Sequence, residues 1–411
     1  MLASGLRRLP LTDRTTYSFE IGTALFYGLF NGLTLSLSTI VARRIGVSST
    51  QLSVMLAMPF VGALFSLYFG HLAAKRDKMA FVFWPGITSR FLLACVALVS
   101  RPTPFFLLMS AFYLLSSVSG PAYAGIMKSN YSDQYRGRLM GNTKIVAMAT
   151  AAVFSYIAGA ALEWSPSAYR WLFPLGAAFG MFASLLFRRL RVRRGTDHPV
   201  PRGFSFLQAW RALRSDRSYI LFLSLLFLCA APNKLAIPLE PIWLVDQIGM
   251  DYHQAGYILG TVTFVCSIVG YLASGWVSTR MDPLWALVCT ILLFVGRYLT
   301  LALARTPLHV LPASALSGLG SSCFEMFVLF TVIRFARGGS LPLYSGLHST
   351  FVGVRGIIGP FIGNYLYLTA GVSISGVFWI IAALTAGGMV ALALFARSRH
   401  RVAAGSAPGR S

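Results

Sequence analysis

The sequence predicts an all-α polytopic membrane protein in which twelve transmembrane helices form two pseudo-symmetric six-helix bundles. Three observations support this fold class: an apolar composition, twelve apolar runs long enough to span a bilayer, and a polar loop motif that occurs twice. Of the 411 residues, 56% are hydrophobic and 11% are charged. A soluble protein of this size needs far more surface charge, so a bilayer is the expected solvent.

Twelve apolar runs are long enough to cross the hydrocarbon core, which takes about 20 mostly apolar residues in a helix. They lie at 17–41, 50–72, 79–99, 104–127, 139–162, 169–187, 218–244, 254–276, 283–304, 308–333, 343–369 and 372–396. We therefore expect an N-terminal six-helix half (1–187), a cytoplasmic basic linker (188–217), a C-terminal six-helix half (218–397) and a disordered tail (398–411). Within the linker, apolar residues from Phe206 to Leu213 recur at helical spacing. This spacing favours a short amphipathic helix on the membrane surface, and a disordered basic linker is the alternative.

The net charge of +23 is distributed unevenly between the two sides of the predicted bundle. We call the side of the N-terminus side one and the opposite side side two. The gaps on side one hold 25 of the 35 Lys and Arg residues, those on side two hold five, and the other five lie within the runs. Positive charge accumulates on the cytoplasmic side of membrane proteins. We therefore expect a multi-pass protein of the plasma (inner) membrane with both termini in the cytoplasm, and no nucleic-acid partner.

A polar motif, Gly-x4-(Lys/Arg)-x-Asp, follows both the second and the eighth run. The two copies lie 205 residues apart, at equivalent positions of the two halves. Internal similarity of this kind indicates a transporter built from two repeats. We expect the two loops to act as cytoplasmic gates, and their candidate residues are Gly70, Lys75, Asp77, Lys78, Gly275, Arg280 and Asp282.

These features resemble the major facilitator superfamily, and the resemblance extends from about residue 15 to residue 397. It lies in the six-plus-six arrangement, the basic central loop, the two loop motifs, the turn at 135–142 and the glycine-rich stretch at 355–363. The resemblance implies alternating access to a central cavity lined by spans one, four, seven and ten.

The first loop departs from the pattern of the resembled family, Gly-x3-acid-basic-x-Gly-basic-basic. Ala74 stands where the acid belongs, and Asp77 stands where the second glycine belongs. The gating contact that the family makes through that acid therefore does not transfer to this chain. We hypothesise that Asp77 and Asp282 replace it, either by pairing with an arginine such as Arg136 or Arg334 or by capping a helix start.

An ionisable side chain inside a membrane span costs about 2.5–3.5 kcal/mol on insertion scales, so each is a functional candidate. We expect Glu325 to exchange a proton or bind substrate, and a fixed salt bridge to a neighbouring span is the alternative. Arg355 is a candidate for attracting an anionic substrate or for pairing with Glu325, while Gly359 and Gly363 beside it indicate close helix packing. Lys234 follows a proline that breaks its helix, which exposes backbone at a cavity. Lys234 is therefore a candidate for substrate binding or coupling.

The first run contains three polar residues, Glu20, Tyr27 and Asn31, whose spacing places them roughly on one helical face. Gly28 and Gly32 lie alongside, and together they suggest a face that lines the cavity. The alternative, which we favour for Glu20 alone, places its carboxylate at the interface on side one.

Three further cations lie within the runs. Lys144 is one turn into the fifth run, which predicts a position near the side-one mouth with the ammonium reaching toward water. Arg90 and Arg297 belong to spans that are peripheral in the resembled family, and we interpret them as structural.

The sequence contains no motif for ATP-driven pumping or hydrolysis: GxxxxGK[ST], HExxH and GxSxG are all absent. The five cysteines lie in apolar runs without a CxxC pair, so we expect neither a metal site nor a cofactor. We therefore expect a non-enzymatic, monomeric secondary active transporter of a small solute, working by alternating access and coupled to protons. Export of an amphipathic or drug-like compound and uptake of a metabolite both remain open. The alternative function is a membrane sensor or polytopic enzyme without transport.

Overall fold

The computed structural model describes residues 10–65, 68–69, 72, 77–192, 216–336 and 341–405, and within these ranges every regular element is a helix. In chain order the helices are α1 (Leu11–Ile45), α2 (Ser49–Leu64), α3 (Lys78–Leu98), α4 (Pro102–Asn130), α5 (Asp133–Trp164), α6 (Pro166–Arg188), α7 (Arg217–Gln247), α8 (Tyr252–Val277), α9 (Pro283–Leu303), α10 (Pro307–Phe335), α11 (Leu341–Leu368) and α12 (Ile374–Gly405). Each predicted span coincides with one helix. Ten of them, all except α2 and α11, are long and apolar enough to cross a membrane. The predicted all-helical polytopic fold is confirmed.

The packing inside the two halves is equivalent, helix for helix. In the N-terminal half, α1 packs on α5 and α6, α2 packs on α4, and α3 packs on α4 and α6. Adding six to each number gives the packing of the C-terminal half, where α7 contacts α11 and α12, α8 contacts α10, and α9 contacts α10 and α12. This equivalence is the structural counterpart of the repeated loop motif.

The first helix of each half is interrupted. α1 runs regularly from Leu11–Phe30, passes through a π-helical turn at Asn31–Leu35 and resumes at Ser38–Ile45. α7 breaks after Arg217–Ala230, continues as short helical pieces that start at prolines or follow them, and ends in the π-helical turn Trp243–Gln247. A proline cannot donate the backbone hydrogen bond that a continuous helix needs. The broken seventh span that the prolines predict is therefore confirmed, and Lys234 lies within it.

Several boundaries differ from those predicted. α5 begins at Asp133 instead of 139 because its first turn is polar, and hydropathy does not detect polar helical turns. α4 is divided at Ser119, one residue before the Gly120–Asn130 segment whose second residue is a proline. α12 continues to Gly405, beyond the predicted boundary at 397. The amphipathic helix expected from 205 onward lies almost entirely outside the described residues.

Candidate functional site

The two halves meet along two equivalent helix pairs, α5 with α8 and α2 with α11. A Cβ atom on Gly256 would lie 2.6 Å from the Ser155 carbonyl oxygen and 2.8 Å from the Gly159 Cα atom. A Cβ atom on Gly356 of α11 would lie 2.1 Å from the Phe60 ring of α2. Both approaches are too close for a side chain, so glycine permits the contact in each pair. We call these two contact lines the seam.

On side two the halves are also joined by polar contacts. The Arg43 guanidinium donates to the Asp246 carboxylate, with Nε to Oδ2 at 3.0 Å. Arg44 donates to the Met250 carbonyl oxygen at 2.6 Å, and its guanidinium lies 4.3 Å from the centre of the Tyr252 ring. We call these five residues the side-two gate. Charge, carbonyl and ring contacts together hold α1 of one half against α7 and α8 of the other.

Glu325 lies in an ion pair that crosses from one half to the other. Its carboxylate accepts a hydrogen bond from the Lys144 ammonium of α5 at 3.2 Å and another from the Tyr271 hydroxyl of α8 at 2.6 Å. Glu325 is ten residues before the end of α10 at Phe335, about 15 Å along the helix axis. Despite this depth, the Lys144 and Glu325 side chains are 41% and 48% exposed. We call Lys144 and Glu325 the central ion pair, and Tyr271 is its hydrogen-bond partner.

We expected Lys144 near the side-one mouth with its ammonium reaching toward water. The ammonium instead pairs with Glu325 of the other half, and Lys144 lies about 16 Å along α5 from its start at Asp133. The fixed salt bridge considered for Glu325 is present, with Lys144 as its partner. Arg355 does not pair with Glu325. The exposure of the pair leaves its carboxylate in contact with solvent.

Glu20 is buried inside the N-terminal half, with 3% of its surface exposed. Its two carboxylate oxygens accept hydrogen bonds from the Tyr123 hydroxyl at 2.7 Å and from the Tyr131 hydroxyl. Burial and the neighbouring carboxylate raise the pKa of Tyr131, which lies in the loop after α4, so its phenol stays a donor. We favoured a position of Glu20 at the side-one interface, and its partner Tyr131 lies in the side-one loop after α4. The carboxylate is shielded from water there, because two tyrosines replace water as its partners.

The remaining α1 residues do not share one environment. Tyr27 is exposed and Asn31, at the start of the π-helical turn, is half-buried. Gly28 and Gly32 face α5, where a Cβ atom on Gly28 would lie 2.5 Å from the Ala147 carbonyl oxygen. The glycines therefore serve packing between α1 and α5. They do not line a cavity as the spacing suggested.

Two cations, the half-buried Lys234 and the buried Arg355, lie close together where α7, α11 and α2 meet. The Lys234 ammonium is 4.7 Å from the centre of the Phe60 ring, and one Arg355 nitrogen is 3.5 Å from the Leu226 carbonyl oxygen. Gly359 lies against Lys234, with only 2.3 Å between an added Cβ atom and the Lys234 Cβ atom. The close packing expected beside Arg355 is confirmed, and it brings the two cations to one place.

A third cation of this half, the half-buried Arg297, is neutralised. Two of its hydrogen bonds end on the Glu240 carboxylate, at 2.6 and 2.7 Å. In the N-terminal half, the equivalent Arg90 donates to the Gly86 carbonyl oxygen and lies over the Phe30 ring. Both contacts agree with the structural interpretation of these arginines.

The described part of the side-one loops shows aspartates at helix starts. Asp77 accepts from the Met79 backbone N–H and Asp282 from the Leu284 N–H, both at 2.9 Å. Asp282 also forms an ion pair with Arg334. Both aspartates thus cap a helix, and Asp282 also pairs with an arginine, as hypothesised. A gating role of the two loops stays a prediction.

Of the other loop residues, Lys78 is the first residue of α3, and Arg280 lies 3.9 Å from the centre of the Trp276 ring. Gly275 has no atom within 4 Å of an added Cβ position. Gly70 and Lys75 lie outside the described residues.

Sequence reasoning did not identify the side-two gate or Tyr271. Arg43 and Arg44 entered only the charge tally, and Asp246 lies at the end of an apolar run, 203 residues from its partner. No local pattern links the two. A tyrosine inside a span, such as Tyr271, looks like any aromatic core residue.

The described residues contain no group of three or more His, Cys, Asp or Glu side chains that could hold a metal ion.

The fold and sequence were compared with known proteins. Similar solved structures include a mutant of the nucleoside transporter NupG, with a TM-score of 0.72 and 13% identity over 92% of this chain and 99% of that one. A bacterial homologue of the human lysosomal transporter Spinster is similar in its inward-facing unoccupied form, with a TM-score of 0.64 and 12% identity over 94% and 95% of the two chains. No curated protein matches the sequence. The model of the Major Facilitator Superfamily matches residues 20–232 and 225–411. With its duplicated six-helix halves, this integral multi-pass membrane protein belongs to the Major Facilitator Superfamily, a family of transporters and not of enzymes.

Proposed function

We propose that this protein is a secondary active transporter that moves a small solute by alternating access and couples the movement to protons. The observation that supports this function best is the central ion pair. A carboxylate and an ammonium from opposite halves meet deep in an apolar bundle, and both are exposed. Charges in such a place are expensive unless they have a function.

The positions of the contacts between the halves support a state that is closed toward side two and accessible from side one. The side-two gate holds the outer ends of α1 and α7 together, whereas the exposed central ion pair lies farther toward side one. If side one is the cytoplasm of a cell with this protein in its plasma (inner) membrane, the structure is inward-facing. Alternation then requires the gate to open while the halves close on side one.

The central ion pair links a proton to this motion. An ionised Glu325 attracts Lys144 across the space between the halves and accepts the Tyr271 hydroxyl. A proton on Glu325 removes the attraction to Lys144, so the two protonation states favour different separations of the halves. A carboxylate that reaches water from alternate sides then carries one proton in each cycle. Solute and direction are left open, because 13% identity to a nucleoside transporter indicates a shared fold and not a shared cargo.

The test is flux in proteoliposomes with a solute identified by its stabilisation of the purified protein in a metabolite and drug panel. Two assays separate coupling from translocation: accumulation driven by an imposed proton gradient, and counterflow exchange without a gradient. We expect Glu325→Gln to abolish accumulation while counterflow continues. Glu163→Gln is the matched control, because Glu163 also bridges the halves, accepting from the Tyr252 N–H at 2.8 Å, but near side two.

Accumulation that survives in Glu325→Gln would show that this carboxylate does not couple transport to protons. Wild-type protein that binds a panel compound yet gives no accumulation and no counterflow would favour the sensor over the transporter.

A further inference from the structure

We propose that Lys234 and Arg355 form a subsite for the oxyanion head group, carboxylate or phosphate, of the transported solute. The solute would then be an anion. That the bound anion is transported rests on the proposed function, but binding of the anion at the subsite is testable without transport.

The two cations are held together by the backbone. Gly359 is one turn after Arg355 on α11 and lies directly against Lys234, while Gly356 lies against Phe60. Lys234 points across the seam, because its ammonium lies over the Phe60 ring of the other half. The subsite therefore lies at the seam between the two halves, near the middle of α11.

The positive charge at this place is not neutralised by the protein. Neither Lys234 nor Arg355 has a carboxylate partner among the described residues, and Glu240 is already occupied by Arg297. Lys234 and Arg355 repel each other, and Arg297 adds to the repulsion on Lys234. Two unpaired cations in an apolar bundle are unfavourable until an anion joins them.

Hydrogen-bond donors are also available. Arg355 is 6% exposed, and its Nε atom has no hydrogen-bond partner in the described structure, while one terminal nitrogen has only the 3.5 Å contact to Leu226. His348, two turns earlier on α11, has a buried Nε2 without a partner and lies within the electrostatic reach of Arg355. A guanidinium with free N–H groups suits the paired oxygens of a carboxylate or phosphate.

The contacts that now satisfy the subsite are weak and replaceable. The ammonium of Lys234 interacts with an aromatic face, and the residue is only half-buried. An oxyanion that displaces Phe60 as the partner of Lys234 leaves the ring free to contact the apolar body of the ligand. Aromatic carboxylates and phosphates are therefore suitable probes.

The experiment measures thermal unfolding of the purified full-length protein by the fluorescence of its eight tryptophans. The probes are benzoate, phenyl phosphate and the neutral isostere benzamide, at constant ionic strength. We expect at least one anion to raise the Tm in a saturable manner while benzamide does not. Arg355→Gln and Lys234→Met should each weaken the anion's affinity about tenfold or more, as loss of a charged hydrogen bond does. Arg90→Gln is the matched control, because Arg90 is a half-buried arginine of a span and lies outside the subsite.

Stabilisation by one anion alone supports the subsite and identifies its head group. No stabilisation by either anion, or equal stabilisation by benzamide, would overturn the proposal. Unchanged anion affinity in Lys234→Met would also overturn the proposal. This variant provides the test if Arg355→Gln does not fold. Anion binding is measured from the Tm without flux, and coupling is measured from proton-driven accumulation. Loss of coupling in Glu325→Gln therefore leaves this inference intact, and failure of anion binding leaves the coupling test intact.

Discussion

Replacing Asp246 by asparagine removes the charge from the side-two gate while keeping the volume of the side chain. Arg43 loses its ionic partner, but the Arg44 contacts with Met250 and Tyr252 remain. Since the ion pair joins the two halves only when side two is closed, the substitution should favour the state that is open on that side.

The size of the shift follows from the exposure of the pair. The Arg43 and Asp246 side chains are 26% and 37% exposed, so solvent screens the interaction. Ion pairs of this kind contribute about 0.2–1 kcal/mol, and the two-nitrogen geometry here favours the upper part of the range. A loss of about 0.5–1 kcal/mol raises the ratio of open to closed molecules about two- to fivefold. High salt should act in the same direction because it screens the pair.

Pulsed electron–electron spin resonance measures this ratio. Spin labels on Leu98→Cys and Leu308→Cys, in a background without the native cysteines, report the separation of the halves on side two. Both positions are highly exposed, at 87% and 70%, so the labels should not disturb packing. The fraction of the long-distance population gives the open state.

Arg170→Gln is the control, because Arg170 is also on side two but donates to Ser100 within its own half. An unchanged distance distribution in Asp246→Asn, or an equal change in Arg170→Gln, would refute the gate. A charge-swapped pair, Arg43→Asp with Asp246→Arg, should restore part of the closed population.

Three further predictions concern the stability of the fold. Gly356→Leu should prevent α2 and α11 from approaching and lower the Tm, whereas Gly275→Ala, where no atom lies within 4 Å, should not change it. Arg297→Met should destabilise the protein by about 3 kcal/mol because it leaves the Glu240 carboxylate unpaired, and adding Glu240→Leu should recover most of this loss in thermal unfolding. Asp282→Asn retains a cap for α9 and loses only a partly exposed ion pair, so its unfolding free energy should fall by less than about 1 kcal/mol; a larger fall would indicate that the pair supports more than the helix start.

The fold was predictable because its signals are local. An apolar run of about 20 residues specifies a span whatever its neighbours are, and a repeated loop specifies the duplication. The prolines of α7 likewise predict a break that the structure contains. The helix boundaries were less predictable. The first turn of α5, for example, is helical but polar, so an apolar run does not include it.

The partners inside the bundle could not be predicted, because they depend on which helices face each other. Nothing in the sequence near Lys144 indicates Glu325, which is 181 residues away and comes close only through the packing of the two halves. The partners of Glu20, Tyr123 and Tyr131, are likewise 103 and 111 residues away. Arg355 and Lys234 were identified correctly as unusual, yet their proximity arises from Gly359, a residue noticed only for packing.

The seam described for Gly159 and Gly256 has a mechanical consequence. Where two helices touch through backbone, no side chain has to change rotamer when one helix rolls over the other. Fixing or releasing side chains carries an entropic cost, which such a contact avoids. α2 and α11 repeat the arrangement at Gly353, where an added Cβ atom would lie 2.7 Å from the Leu64 backbone nitrogen. In the proposed cycle the two halves would therefore tilt as rigid bodies along both contact lines, while a few charged residues restrain the tilt.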